Sequence, residues 1–280
     1  MKKIDQQHFE TERSLYNEKD LMVLSCRFEG PTDGESPLKE GERLLVKDCY
    51  FDLRYPFWHD TDLTVEDTTL TEKSRAAFWY DEGVTIKRSH LHGIKALRES
   101  HGIFLSDSDV VSPEFLWKCS DVRLENVSVQ SEYPFFLDER ISFSNLTLEG
   151  KYSFQYVKGG LIKNSHLKTK DAFWHSENLT VTDSVIDGEY LGWYSVNLHL
   201  INCTIIGTQP LCYCKGLVLE NCRMEKCDLA FEYSEVEADI IGTIDSVKNP
   251  GKGHVVADKI GEIILKDSKY PSECKIEERK

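Results

Sequence analysis

At 280 residues the chain has room for one or two ordinary domains, and an apolar fraction of 40% is enough for a folded core. A net charge of −14, a charged fraction of 29% and a mean hydropathy of −0.42 point to a soluble chain. The same acidity argues against nucleic acid and against a membrane surface as partners, because both reward positive charge. No run approaches the roughly 18 apolar residues of a membrane span. The opening MKKIDQQHFETERSLYNEKD lacks the apolar core of a secretory signal, so a cytoplasmic setting with nine reduced cysteines is expected.

Residues 1–19 are polar with scattered Phe9, Leu15 and Tyr16, and are expected to cap one end. A nine-residue stretch then recurs without internal gaps, at residues 20–28 (DLMVLSCRF), 43–51 (RLLVKDCYF), 62–70 (DLTVEDTTL) and 83–91 (GVTIKRSHL). It returns from Gly102, Asp121, Arg140, Gly159, Asn178, Asn197 and Gly216, with a degraded copy from Glu235. From Gly83 onward eight successive coils are 19 residues long, whereas two earlier ones carry insertions, the larger within residues 30–42 (GPTDGESPLKEGE). The fourth position reads Val23, Val46, Val65, Ile86, Leu105, and the ninth Phe28, Phe51, Leu70, Leu91, Val110. Alternation with period two means strands, and two short strands per stretch leave no room for a helix. Strands of this kind must stack coil on coil. The expectation is a single-domain, all-β, right-handed parallel β-helix, a solenoid of about twelve coils of roughly 19 residues spanning 20–254, with a C-terminal cap and tail over 255–280.

The seventh position is small or a thiol in most coils (Cys26, Cys49, Thr68, Ser89, Ser108, Ser165, Ser184, Cys203, Cys222), as a narrowed inner corner requires. The sixth reads Asp48, Asp67, Asp107, Asn126, Asn145, Asn164, Asp183, Asn202, Asn221, residue types that tolerate bends and bond nearby backbone. This row predicts a corner ladder between two strands. Arg88 interrupts it, so that coil is expected to bend differently, and Ile240 ends it. Asn126, Asn145, Asn178 and Asn202 each open a glycosylation sequon, but three of the four are ladder residues, so the sequon reading is set aside.

A third strand follows a turn. Its fifteenth position (Phe57, Phe78, Leu97, Leu116, Phe135, Phe154, Phe173, Gly192, Leu211, Ala230) is expected to point inward. The next position holds all five tryptophans, Trp58, Trp79, Trp117, Trp174 and Trp193, together with Arg98 and Gln155. One reading is a glycan platform, with the indoles stacking sugars. The other is a partly buried aromatic ladder with a structural role. Under the first, Arg75, Lys95 and Arg98 would hold an acidic substituent; Lys170, His175 and Tyr194 flank the indoles; and Asp171 with Glu189, one coil apart, is the candidate catalytic pair. Cys203, Cys212, Cys214, Cys222 and Cys227 crowd two coils without zinc-ligand spacing and are read as structural thiols, so no metal and no cofactor is assigned. His59, His90, His92 and His101 are expected to scatter over different faces.

The segments 33–42 (DGESPLKEGE), 75–82 (RAAFWYDE), 170–181 (KDAFWHSENLTV), 187–195 (DGEYLGWYS) and 229–236 (LAFEYSEV) resemble an uncharacterised bacterial family of right-handed β-helices in the pectate-lyase-like superfamily. The resemblance implies the fold and a bacterial source, and an association with polysaccharides by analogy alone. The carboxylate, arginine and calcium arrangement of the pectate lyases is missing, so lyase chemistry does not carry over. The functional expectation is carbohydrate binding or modification on the aromatic face, of an oligo- or polysaccharide. The alternative is a non-catalytic scaffold or homo-oligomer that uses the aromatic lane as its interface.

Overall fold

Apolar residues repeating on alternate positions of short strands bury their side chains only if successive coils lie in register, and the chain folds in this way. A computed structural model describes residues 1–30 and 35–280, so part of the insertion at 30–42, and the first two residues of the segment 33–42, lie outside the described residues. The architecture is an all-β parallel solenoid of about 14 turns of roughly 19 residues. No helix of the described residues is long and apolar enough to cross a membrane. The chain divides into two units, Met1–Phe143 and Ser144–Lys280.

In the first unit the strands Lys2–Asp5, Lys19–Leu24, Glu42–Lys47, Thr61–Glu66, Glu82–Lys87, His101–Ser106 and Ser120–Glu125 pair in parallel, each with the next. Their register aligns Val23, Val46, Val65, Ile86, Leu105 and Leu124, all buried. A second row of strands aligns Phe9, Phe28 and Phe51, whose rings stack at 4.9 and 4.6 Å. The first nineteen residues, expected as a cap, therefore already supply paired strands. The second unit repeats the plan from Lys158–Lys163 and Thr147–Lys151 onward. At its end Lys252–Ile264 pairs with Glu235–Lys248, and Glu273–Glu278 pairs with Lys252–Ile264. Residues 255–280 are thus largely sheet as well, which raises the turn count above the twelve expected.

The corner ladder is present. Asn126 donates to Asp107 at 3.0 Å, Asn202 to Asp183 at 3.0 Å and Asn221 to Asn202 at 2.7 Å, and these residues hold left-handed backbone conformations. The expectation for Arg88 is corrected: its φ of 48° matches the row, and its guanidinium supplies the missing rung by bonding the Asp67 carboxylate at 2.7 and 3.0 Å. Where Ile240 stands the bend itself is lost. The register slips between Leu219 and Cys222, Ile240 aligns with Cys222, and Glu235–Lys248 runs on as one strand of 14 residues.

The small inner row does more than save space. The Ser89 hydroxyl accepts the Thr68 amide at 3.1 Å and donates to the Lys87 carbonyl at 2.9 Å; Ser165 does the same for Leu146 and Lys163 at 3.1 and 2.8 Å. Thiols substitute at Cys26 and Cys49, where the Cys49 sulfur accepts the Cys26 amide at 3.4 Å. A second inner row lies just past the third strand. Asp60 accepts the Gly41 amide, Asp81 the Asp60 amide and Asp138 the Cys119 amide, at 2.7, 2.8 and 2.7 Å. All three aspartates are buried, each with its second carboxyl oxygen unpartnered. Burial drives their carboxyls well above the usual carboxylate range, with Asp60 adding to the shift of Asp81 and Glu40 to that of Asp60.

Two outcomes follow. Ser165→Ala strands the buried Leu146 amide and is expected to cost about 1–3 kcal/mol in denaturant unfolding, with Ser165→Cys costing less. The native aspartates hold protons that the unfolded chain releases. Their contribution therefore falls as pH rises from about 4, the ordinary carboxylate value, toward their raised native values. Asp138→Asn is expected to be more stable than wild type near pH ~7, with the difference closing as pH falls toward ~4.

Candidate functional site

The third face carries the residues singled out above. In the first unit Phe57, Phe78, Leu97, Leu116 and Phe135 point inward and are buried, as expected. The following position lies half-buried, which places the tryptophans neither in the core nor fully in solvent. Trp58 and Trp79 meet edge to face at 5.2 Å. The Arg98 guanidinium lies between Trp79 and Trp117, 5.0 and 4.9 Å from their ring centres, and pairs with Glu114 at 3.2 Å. Its side chain is only 12% exposed, so this cation is already committed within the fold. Arg75 is exposed and Lys95 half-buried, and neither forms an ion pair with another described residue.

The indole nitrogens explain the lane. Trp58 donates to the Ala76 carbonyl at 2.8 Å and Trp117 to the Tyr133 carbonyl at 2.6 Å. In the second unit Trp174 donates to Tyr190 at 2.7 Å and Trp193 to Gln209 at 2.8 Å. Each of these indoles thus pegs its own coil to the next. Trp79 is the exception, its buried N–H having no acceptor. Trp174 and Trp193 also stack on each other at 5.4 Å with planes 5° apart.

One position further on, sequence periodicity missed an outer row. In the second unit Tyr156, His175, Tyr194, Tyr213 and Tyr233 form a continuous stack, with centroids 4.9, 5.0, 4.8 and 5.8 Å apart. All five hold left-handed φ angles between 54° and 62°. Left-handed residues also stand two and four positions earlier in the same coils, as at Asp171, Phe173 and His175 or Gln209, Leu211 and Tyr213. This backbone breaks period-two alternation, turning consecutive side chains inward, sideways and outward. In the first unit only His59 and Tyr80 continue the theme, stacked at 5.0 Å, before Glu99, Lys118 and Leu137 take the position.

The candidate acids lie on adjacent coils, where the Asp171 amide donates to the Glu189 carbonyl at 2.9 Å. Asp171 is buried and Glu189 exposed, with Lys170 3.6 Å from Glu189 and over the Tyr190 ring at 5.4 Å. Burial pushes the Asp171 carboxyl up; Lys170 opposes the shift and Glu189 adds to it. The five crowded cysteines are all buried, and burial pushes the Cys212 and Cys227 thiols up to about 12. Among the described residues they do not converge on a shared metal position.

At the end of the stack lies a pocket of about 630 Å³, within the usual range of small-molecule sites. It is lined by Tyr213 and Tyr233, by residues 249–252, and by Lys269, Tyr270, Pro271 and Glu273. Tyr233, the last of the stacked rings, joins the C-terminal segment to the stack. Its hydroxyl accepts the Lys269 amide at 3.2 Å and the Ser268 hydroxyl at 3.5 Å, and the Ser268 bond holds it below the usual tyrosine range. Tyr270 is 71% exposed, Lys252 pairs with Glu235 at 3.0 Å, and Lys269 forms no ion pair among the described residues. Of these residues, Lys269, Tyr270, Pro271 and Glu273 fall in the stretch expected as C-terminal cap and tail, 255–280.

Fold and face together define a parallel β-helix protein with an aromatic third side. The chain belongs to the family described as proteins of unknown function (DUF3737), whose model matches residues 2–277. No curated protein matches it. Among solved structures it is similar to HetL, a pentapeptide repeat protein involved in heterocyst differentiation regulation from the cyanobacterium Nostoc. The identity is 12%, the coverage 79% of this chain and 91% of that one, and the TM-score 0.36. It is also similar to PfbA, a surface adhesin of Streptococcus pneumoniae, at 11% identity, 76% and 70% coverage and a TM-score of 0.34. A third likeness is to the A-module of the mannuronan C-5 epimerase AlgE4 of Azotobacter vinelandii, at 9% identity, 98% and 86% coverage and a TM-score of 0.30.

If the indole pegs hold the coils together, Trp174→Phe and Trp193→Phe each leave a carbonyl without its donor and are expected to cost about 1–2 kcal/mol beyond the lost ring area. Trp79→Phe, which removes a donor that has no acceptor, is expected to cost less in the same thermal and denaturant melts.

Proposed function

We propose that this protein binds carbohydrate, specifically an acidic oligosaccharide, in the tyrosine-lined pocket at the C-terminal end of the second unit. The observation that carries the reading is the place of the pocket at the end of the Tyr/His stack. Along the stack the ring faces are spent on one another, so a sugar meets only edges and hydroxyls there. Free ring faces are available where the stack stops, beside exposed Tyr270. Sugar rings pack on such faces while hydroxyl and ammonium groups satisfy their oxygens. Lys269, unpaired among the described residues, supplies a cation for a carboxylate or sulfate in an otherwise acidic chain.

In this reading the edges of Tyr194 and His175, backed by Trp174 and Trp193, give a longer glycan a surface to follow. Asp171, with its raised carboxyl, is the group suited to donate a proton, and Glu189 is its candidate partner. The basic residues Arg75 and Lys95 of the first unit are assigned to a second, weaker contact surface, while the neighbouring lane Trp58, Trp79, Arg98 and Trp117 is taken up in packing.

Calorimetric titration with uronic-acid-containing and neutral oligosaccharides tests the proposal. Binding of the acidic set is expected, weakened about tenfold, or about 1.4 kcal/mol, by Tyr270→Ala and by Tyr233→Ala. Lys269→Ala is expected to act on the acidic ligands alone. Tyr233→Phe keeps the ring but removes the hydroxyl that holds Lys269 and Ser268 in place, and should lose less affinity than Tyr233→Ala. No heat with any member of the panel, or affinities indifferent to all of these changes, would sink the idea.

A second reading rests on the exposure of Tyr156 and Tyr194, which makes the outer row an apolar stripe suited to a second copy of the chain. Light scattering separates the two: a monomer at ~100 µM removes the oligomer reading, since stable interfaces persist far below that concentration.

A further inference from the structure

His90 and His92 lie two residues apart in the strand His90–His92, so alternation sends both imidazoles out of one face. The expected scatter of the histidines is corrected for this pair. The strand Asp109–Val111 of the next coil runs beside it in register and sets Asp109 opposite His90. The Asp109 carboxylate is shared between the two rings. One oxygen meets Nδ1 of His90, and the other lies 2.7 Å from Nε2 of His92. The rings stand 71° apart with centroids 6.2 Å from each other, so their nitrogens converge on the carboxylate.

Several other outer-face aspartates of this unit meet a cation: Asp20 with Arg43, Asp67 with Arg88, Asp121 with Arg140 and Asp52 with Lys73. Asp109 meets two imidazoles and, among the described residues, no arginine or lysine. Among those residues this is the one group of three or more His, Cys, Asp or Glu side chains whose ligand atoms all lie within 4.8 Å of one another.

We propose that His90, His92 and Asp109 bind a divalent transition-metal ion of the zinc class through two imidazole nitrogens and one carboxylate oxygen. Nitrogen with a single carboxylate suits zinc, cobalt or nickel, whereas calcium and magnesium take oxygen sets. Metal–ligand bonds of about 2.0–2.2 Å bring ligand atoms closer than the widest spacing here, and rotamer shifts of side chains on this outer face close the difference. The ion replaces the hydrogen bonds among the three groups. It cross-links two successive coils and keeps at least one coordination position for water or an incoming ligand.

The test uses the full chain, stripped by a chelator and kept reduced, titrated with Zn²⁺ and with Co²⁺. One ion per chain is expected, with a Kd on the order of 1–10 µM. Asp109→Asn, and His90→Gln combined with His92→Gln, are expected to weaken it at least about tenfold. The cobalt form should show visible bands of nitrogen and oxygen ligation without thiolate charge transfer. Zinc should raise the melting temperature of the wild type and leave the variants unmoved. Equal melting of the metal-free proteins verifies that the variants fold; if the double variant does not, the isosteric Asp109→Asn carries the test alone. No binding at ~100 µM, affinity that survives the substitutions, or a thiolate band would overturn the proposal.

Discussion

Everything in this molecule depends on the way its bends dispose of main-chain amides. A coil of about 19 residues turns several times, and at each turn the strand ladder lapses and leaves N–H groups pointing into the interior. Buried donors without acceptors are costly, so each bend needs an acceptor at a fixed place. Two rows meet the need: Ser, Thr and Cys side chains at the first inner corner, and Asp, Ser or Cys after the third strand. Left-handed residues at the same corners aim the chain so that these acceptors fall beneath the amides they serve.

This economy also accounts for the aromatic face. The tryptophans are not a platform laid on a finished solenoid; four of the five carry a hydrogen bond that joins consecutive coils within their units. Arg98, wedged between Trp79 and Trp117, keeps the stacking where a coil lacks an indole. With that lane occupied in cohesion, the tyrosines and histidines one position further out are what the face presents to other molecules. The tyrosine pocket belongs to the second unit and the His–Asp cluster to the first.

Much of this was legible in the sequence, because coil length, strand alternation and the sixth- and seventh-position rows all follow from a period of two inside a period of 19. What stayed hidden has physical causes. The row Tyr156, His175, Tyr194, Tyr213, Tyr233 lies where alternate residues adopt left-handed conformations, and a pattern based on extended strands loses track of direction there. Asp60, Asp81 and Asp138 carry no mark in the sequence pattern, and only their place beneath an amide shows them to be interior acceptors. Arg88 appeared to break the ladder, since charge rather than backbone geometry was the visible difference. The tail around Tyr270 looked polar, and its role as a pocket wall depends on a hydrogen bond from Lys269 to Tyr233, far away along the chain.

The inner rows also have a polarity. Thr68 accepts from Cys49, Ser89 from Thr68, Asp81 from Asp60, and the Trp58 indole donates to a carbonyl in the coil after its own. In each case the later coil completes the earlier one. A chain emerging from the ribosome would thus hold its newest coil open until the following coil had appeared, and each closure would await a further stretch of translation. Assembly would proceed as a ratchet from the amino end, with one unfinished edge that is always the most recent, and losing the last coils would undo the closure of those just before them.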